Sequence, residues 1–173
     1  MLTLVATYRR TIHASLERIW ENVRDWEHLP WLHRAFFSQI TLLEETSTSW
    51  RARVVMPPVT APREALVEVE MDQPQARYWS RTLTEQGVGG EILTKLTPVK
   101  ERETHIVVEF RGLVANPQHA EQLGAMYLRL YEQLWDEDER MMMRRQGLID
   151  AGRIGSEAKP KKNNRTSELT QQP

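Results

Sequence analysis

From Gln39 to about Leu113 apolar and polar side chains alternate in stretch after stretch, and beyond Asn116 the period lengthens to that of a helix. In "WRARVVM" Trp50, Ala52, Val54 and Met56 share one face. In "REALVEVEMD" Ala65, Val67, Val69 and Met71 point one way, Glu68 and Glu70 the other. "RYWSRTLT", "GEILTKLT" and "THIVVEFRG" repeat the pattern, with Gly87, Gly89 and Gly90 marking one turn. A period of two is the signature of half-buried strands, and strands joined by short polar connections pair as an antiparallel meander. "NPQHAEQLGAMYLRLYEQLWDEDERMMMRRQG" then predicts one long helix. Its apolar stripe runs through Leu123, Tyr127, Leu130, Tyr131 and Leu134 to Met141 and Met142, and Gly147 and Gly152 follow as stop signals.

Ahead of the meander, "TLVATYRRTI" alternates with Leu4, Ala6, Tyr8, Arg10 and Ile12 on one side. "ASLERIWENVRDW" changes period: Ser15 suits an N-cap, and Leu16, Ile19, Trp20 and Val23 form a helical stripe that Pro30 ends or redirects. Strand, helix, antiparallel strands and a long helix predict an α+β fold, a curved antiparallel sheet wrapped around the C-terminal helix, with a pocket between the two. Residues 1–150 are the expected domain. Residues 151–173, ending in "SEAKPKKNNRTSELTQQP", have almost nothing to bury and are expected to be a disordered polar tail.

Composition narrows the chemistry. A net charge of −1 argues against nucleic acid as a partner. The absence of cysteine excludes disulfides, thiolate zinc sites, cysteine nucleophiles and cysteine-ligated iron–sulfur clusters, so any metal must be held by His, Asp and Glu. No run approaches the roughly 20 apolar residues of a membrane span, and "MLTLVATYRR" lacks the features of a signal peptide. A cytoplasmic protein without a membrane partner is expected.

"DWEHLPWLHRAFF" carries two of the five histidines, His28 and His33, with four residues between them and Asp25 three residues ahead of the first. By itself that spacing fits two solvated histidines at a helix end. Steps of three and four along the long helix from Leu123 land on Asp138, whereas Asp136 falls with Glu132 and Arg129 on the polar side. A carboxylate on a buried helix face needs a partner, because burying it alone costs several kcal/mol. A divalent cation held by two imidazoles would serve, and so would an arginine such as Arg10 or Arg63. His13, His105 and His119 have no acidic or nucleophilic partner at a telling spacing, and no Ser-His-Asp arrangement or phosphate-binding loop is present. Most of the six tryptophans are expected in the core, with Trp31 near the pocket. Met141, Met142 and Met143 suit a helix end or a subunit contact.

"ASLERIWENVRDWEHLPWLH" is similar to the opening of the helix-grip (SRPBCC) superfamily, which includes START lipid-transfer domains, polyketide cyclases and birch-pollen-allergen-like proteins. The similarity spans about residues 3–147. Within that group, Glu21, Asp25, His28 and His33 stand at the spacings of the mononuclear iron signature of Rieske-type ring-hydroxylating oxygenases, and "WDEDERMMMRRQ" resembles the segment bearing the third ligand. The resemblance implies that His28, His33 and Asp138 hold iron(II), with Asp25 hydrogen-bonded to a ligand histidine and serving catalysis. The chain departs from those oxygenases in having neither a Rieske domain nor a cysteine to build its cluster.

Three classes of function remain open. One is a stand-alone non-haem iron(II) oxygenase acting on a small apolar or aromatic molecule, with electrons supplied by a separate electron-transfer protein or by the substrate. Another is a metal-free module that binds a hydrophobic ligand or shapes it as cyclases do. The third is an interaction protein whose long helix and methionines serve a homo-oligomer, a state compatible with all three.

Overall fold

The computed structural model of the chain describes residues 1–57, 63–85 and 87–156. The chain opens with strand β1 (Thr3–Ile12), followed by helix α1 (Leu16–Arg24), a 3-10 turn (Trp26–His28) and the single-turn helix α2 (Leu29–Leu32). Strands β2 (Gln39–Glu45), β3 (Ser49–Met56), β4 (Arg63–Asp72), β5 (Arg77–Thr84), β6 (Gly87–Lys100) and β7 (Glu103–Gly112) form the meander. Helix α3 (Pro117–Asp150) closes the fold. All pairings are antiparallel, in the order β1-β7-β6-β5-β4-β3-β2, so the first strand joins the sheet beside the last. This is the α+β architecture that the alternation predicts, with the long helix against the concave face. The part of the expected tail beyond Ser156 lies outside the described residues.

The inner face packs as the period-two pattern requires. Trp50, Ala52, Val54, Val69, Met71, Tyr78, Leu96, Ile106, Val108 and Phe110 are buried beneath α3, and Phe110 stacks on Tyr127 and meets Tyr131 edge-on. Along the middle of α3, Phe110, Tyr127 and Tyr131 take up the space against β7. Of the tryptophans, Trp20, Trp50 and Trp135 are buried, while Trp31 is 53% exposed.

Four local expectations are corrected. Leu4 faces solvent, because β1 carries a bulge between Leu4 and Ala6 that turns Val5 toward the core in its place. Helix α1 stops at Arg24, ahead of Pro30, which instead occupies the first turn of α2. Gly147 lies inside α3, and the helix ends at Asp150 before Gly152, whose φ of +65° takes the left-handed conformation. Gly89 and Gly90 lie within β6 rather than at a turn: Gly90 lies beneath the Tyr127 hydroxyl, and only Gly87, at φ +105°, serves the turn.

The helix α3 is held tightest near its start. A Cβ added at Gly124 would stand 2.4 Å from the Val5 carbonyl oxygen, so only glycine lets α3 lie directly on β1. Gly147 has nothing within 4 Å of the equivalent position. Gly124→Ala is therefore expected to cost about 1–3 kcal/mol through overpacking, in spite of alanine's helix propensity. Gly147→Ala should stabilise by about 0.5–1 kcal/mol. Thermal melts followed by circular dichroism would measure both, with melting temperatures moving in opposite directions.

Candidate metal centre

The break after α1 aims both histidines of the "DWEHLPWLH" segment inward. Asp25 leaves helical geometry at φ −85° and ψ 74°, and the 3-10 turn and α2 then reverse the chain's facing. His28 closes the 3-10 turn at 3% exposure, and His33 caps α2 at 1%. Their rings meet edge-on with centroids 5.3 Å apart. Across from them, Asp138 projects from the inner face of α3 at 8% exposure, in line with Tyr131, Trp135 and Met142. The helical stride thus picks out the carboxylate that faces the two histidines.

His28, His33 and Asp138 each offer a donor atom, and these atoms lie within 4.8 Å of one another. His33 Nε2 is 3.0 Å from Asp138 Oδ1, and His28 Nε2 is 3.5 Å from the same oxygen. Donors held about 2.0–2.2 Å from a common ion at near-right angles stand roughly 3 Å apart, so the spacing fits a first-row divalent cation. Two imidazoles and one carboxylate are also the donor set of non-haem iron(II) sites, which leave positions open for other ligands. His28 Nδ1, on the side of the ring away from Asp138, is buried and has no hydrogen-bond partner within reach.

The surrounding residues differ from expectation. Asp25 Oδ2 stands 3.9 Å from His28 Nδ1, too far for a hydrogen bond, so the expected catalytic contact is not formed here. The histidine that does have a carboxylate behind it is His33, whose Nδ1–H donates to Glu137 Oε2 at 2.7 Å. Glu21 turns away from the cluster and binds Arg18 and Arg145, tying α1 to α3. Neither arginine weighed as a partner reaches Asp138. Arg10 binds Asp136 and Glu139, and Arg63 lies on the exposed start of β4. His13 does have an acidic partner: the Glu139 carboxylate accepts from its backbone N–H and from Nδ1, both at 2.7 Å. Glu137 and Glu139 escape a sequence reading because their partners lie more than a hundred residues away; the only local hint is the acidic run "DEDE" itself.

Electrostatics follow from this arrangement. Burial pushes the Asp138 carboxyl up, but hydrogen bonds and charge from His28 and His33 outweigh it and hold the group below its ordinary value. Burial lowers the His33 pKa, yet Asp138 and Glu137, one at each ring nitrogen, reverse this and raise it. Burial also pushes up the hydroxyls of Tyr78 and Tyr131, and the charge of Asp138 adds to both. On the rim, Trp31 stands edge-on to His28 and Phe37 edge-on to His33, each with centroids 6.5 Å apart. On the outer side of α3 a groove of about 550 Å³, lined in part by Gln133, Glu137 and Arg140, borders the cluster through Glu137.

No family model matches the sequence, and no curated protein matches it. Solved structures do resemble it. The Zhui aromatase/cyclase from Streptomyces sp. R1128 has a TM-score of 0.69 at 13% identity, covering 84% of this chain and 96% of its own. Norcoclaurine synthase from Thalictrum flavum, solved with dopamine and hydroxybenzaldehyde, has a TM-score of 0.60 at 13% identity, covering 83% and 88%. Ara h 8.0201 has a TM-score of 0.62 at 13% identity, covering 80% and 96%. At such identities the likeness establishes architecture: this chain has the helix-grip fold. Among the described residues no helix is long and apolar enough to cross a membrane.

The opposed shifts give metal-free protein a defined pH window. The stabilisation from Asp138 is present above about pH 4 and is lost as pH falls through its depressed pKa. The contribution of His33 is full below about pH 6.5 and is lost as pH rises through its elevated pKa. Urea melts in the presence of a chelator should therefore show greatest stability between about pH 4 and 6.5. Asp138→Asn should flatten the acid limb.

Proposed function

We propose that this protein binds a small, largely apolar or aromatic molecule beside a divalent metal held by His28, His33 and Asp138. The observation that carries the reading is the burial of these three donors, from two distant parts of the chain, around one point. Two imidazoles and a carboxylate facing one another inside a fold are costly to keep desolvated unless something shared offsets their charge. Trp31 and Phe37 supply an apolar ledge against the two histidines on which an aromatic ring can rest. Support for a small-molecule partner comes from the solved neighbours, which include an aromatase/cyclase and a synthase solved with dopamine and hydroxybenzaldehyde.

Iron(II) is the metal we favour, on the donor set and on the resemblance of Glu21, Asp25, His28 and His33 to the Rieske oxygenase signature. When bound, it would supply oxygen activation toward the neighbouring molecule. The chain's own part is to hold the site. His28 and His33 present Nε2 toward the carboxylate, Asp138 balances charge, and the packed interior keeps water from the far side. Having no cysteine, this chain cannot build an iron–sulfur cluster from its own thiolates, so oxygenase turnover would take electrons from a separate protein. A second reading, a metal-free ligand-binding or cyclase-like module, is favoured by the same solved neighbours and needs only the aromatic ledge.

Plasma mass spectrometry on protein purified without a histidine tag separates the readings. Near-stoichiometric iron, or zinc or nickel in its stead, that disappears in Asp138→Ala is the expected result. Protein that comes metal-free and also fails to take up added iron(II) would leave only the ligand-binding module.

A further inference from the structure

Glu137 is a second carboxylate on the same turn of α3 as Asp138, yet it does not face the cluster directly. Its Oε2 receives the Nδ1–H of His33 at 2.7 Å, on the far side of the ring from Asp138. Its other oxygen, Oε1, receives an N–H of Gln133 one helical turn earlier, at 2.9 Å. Both oxygens are therefore engaged, and the carboxylate is held from two sides at the edge of the outer groove. A carboxylate has no proton to give, so the proton in the short contact belongs to His33 Nδ1.

We infer that Glu137 is the positioning residue of the centre, fixing the proton of His33 on Nδ1 so that Nε2 is the nitrogen presented to a metal. This rests on the reading that His28, His33 and Asp138 hold a divalent cation. A histidine ligates through one nitrogen only, and the hydrogen bond made by the other decides which one and fixes the ring plane. His33 has that bond and His28 does not, since His28 Nδ1 is buried without a partner and Asp25 stands 3.9 Å away. The two histidines are therefore unequal. His33 is oriented in advance by α3, the helix that also carries Asp138, whereas His28 is oriented by packing against Trp31 and His33. The role that the sequence resemblance gives to Asp25 thus passes to a residue on the opposite helix.

The test uses the full chain without a tag, stripped of metal, in the wild type and in Glu137→Met, Glu137→Gln and Asp138→Ala. Glu137→Met keeps the side chain's length and removes the acceptor, while Glu137→Gln keeps an acceptor oxygen. Cobalt(II) affinity is measured by competition with a chelating dye, and the proton on His33 is located by two-dimensional ¹⁵N–¹H spectra of the zinc-loaded protein. The expected result is a His33 Nδ1 proton in the wild type and a loss of about tenfold to a hundredfold in cobalt affinity in Glu137→Met. Glu137→Gln should recover most of that loss. Wild-type affinity in Glu137→Met, or a His33 without a proton on Nδ1, overturns the inference while leaving the metal centre standing if Asp138→Ala abolishes binding. Absence of cobalt binding in the wild type overturns the metal centre and this inference together. A purely structural role for Glu137 would lower the melting temperature without moving the His33 proton, and that outcome also overturns it.

Discussion

Asp138 is a carboxylate taken out of water on the inner side of a helix, and the geometry around it follows from that. A buried anion must be met by donors or by a cation, or it will not stay ionised. Here the donors come from a short segment between α1 and β2, one 3-10 turn and one turn of helix. The break at Asp25 and the placing of Pro30 make sense as the means of turning His28 and His33 toward that one oxygen. The approach of Gly124 to Val5, four turns earlier on α3, sets the height at which the carboxylate arrives. Residues 124 and 138 are about 21 Å apart along the helix and on nearly the same face.

Much of this was legible in the sequence, because it rests on periodicity. The alternation in β3, β4 and β7 is a direct record of which side chains meet α3, and the three-and-four stride along α3 separates Asp138 from Asp136. The spacing of His28 and His33 marks the other half of the site. Features that depend on a partner strand or helix were not legible. The bulge that turns Leu4 outward is a matter of how β1 pairs with β7, and the sequence of β1 alone shows an unbroken alternation. The pairing of Glu137 with His33 and of Glu139 with His13 spans more than a hundred residues, and no local spacing encodes it. Asp25 illustrates the same limit from the other side: its position in the motif is right, yet the 3-10 turn leaves it short of His28 Nδ1.

The helix-grip fold leaves activity open, since the solved structures that share it here include an aromatase/cyclase, a synthase and Ara h 8.0201. What distinguishes this chain is polar chemistry placed where the fold ordinarily needs only apolar filling. Two ion networks stand side by side on α3: His28, His33, Glu137 and Asp138 on one side, and Arg10, His13, Asp136 and Glu139 on the other. The second has a guanidinium at its centre and is balanced by the chain itself. The first has only titratable imidazoles, which is why it, and not its neighbour, reads as a place for an added cation.

The contact between His33 and Asp138 also joins positions 105 residues apart in the chain. Whatever links them, a proton or an ion, closes a loop containing the whole meander. The chain entropy removed from the unfolded state by such a closure grows with the logarithm of loop length. The cluster is thus a clasp on the topology as well as a chemical site. Its strength is therefore felt in the cooperative unfolding of the domain as well as in the segment between α1 and β2.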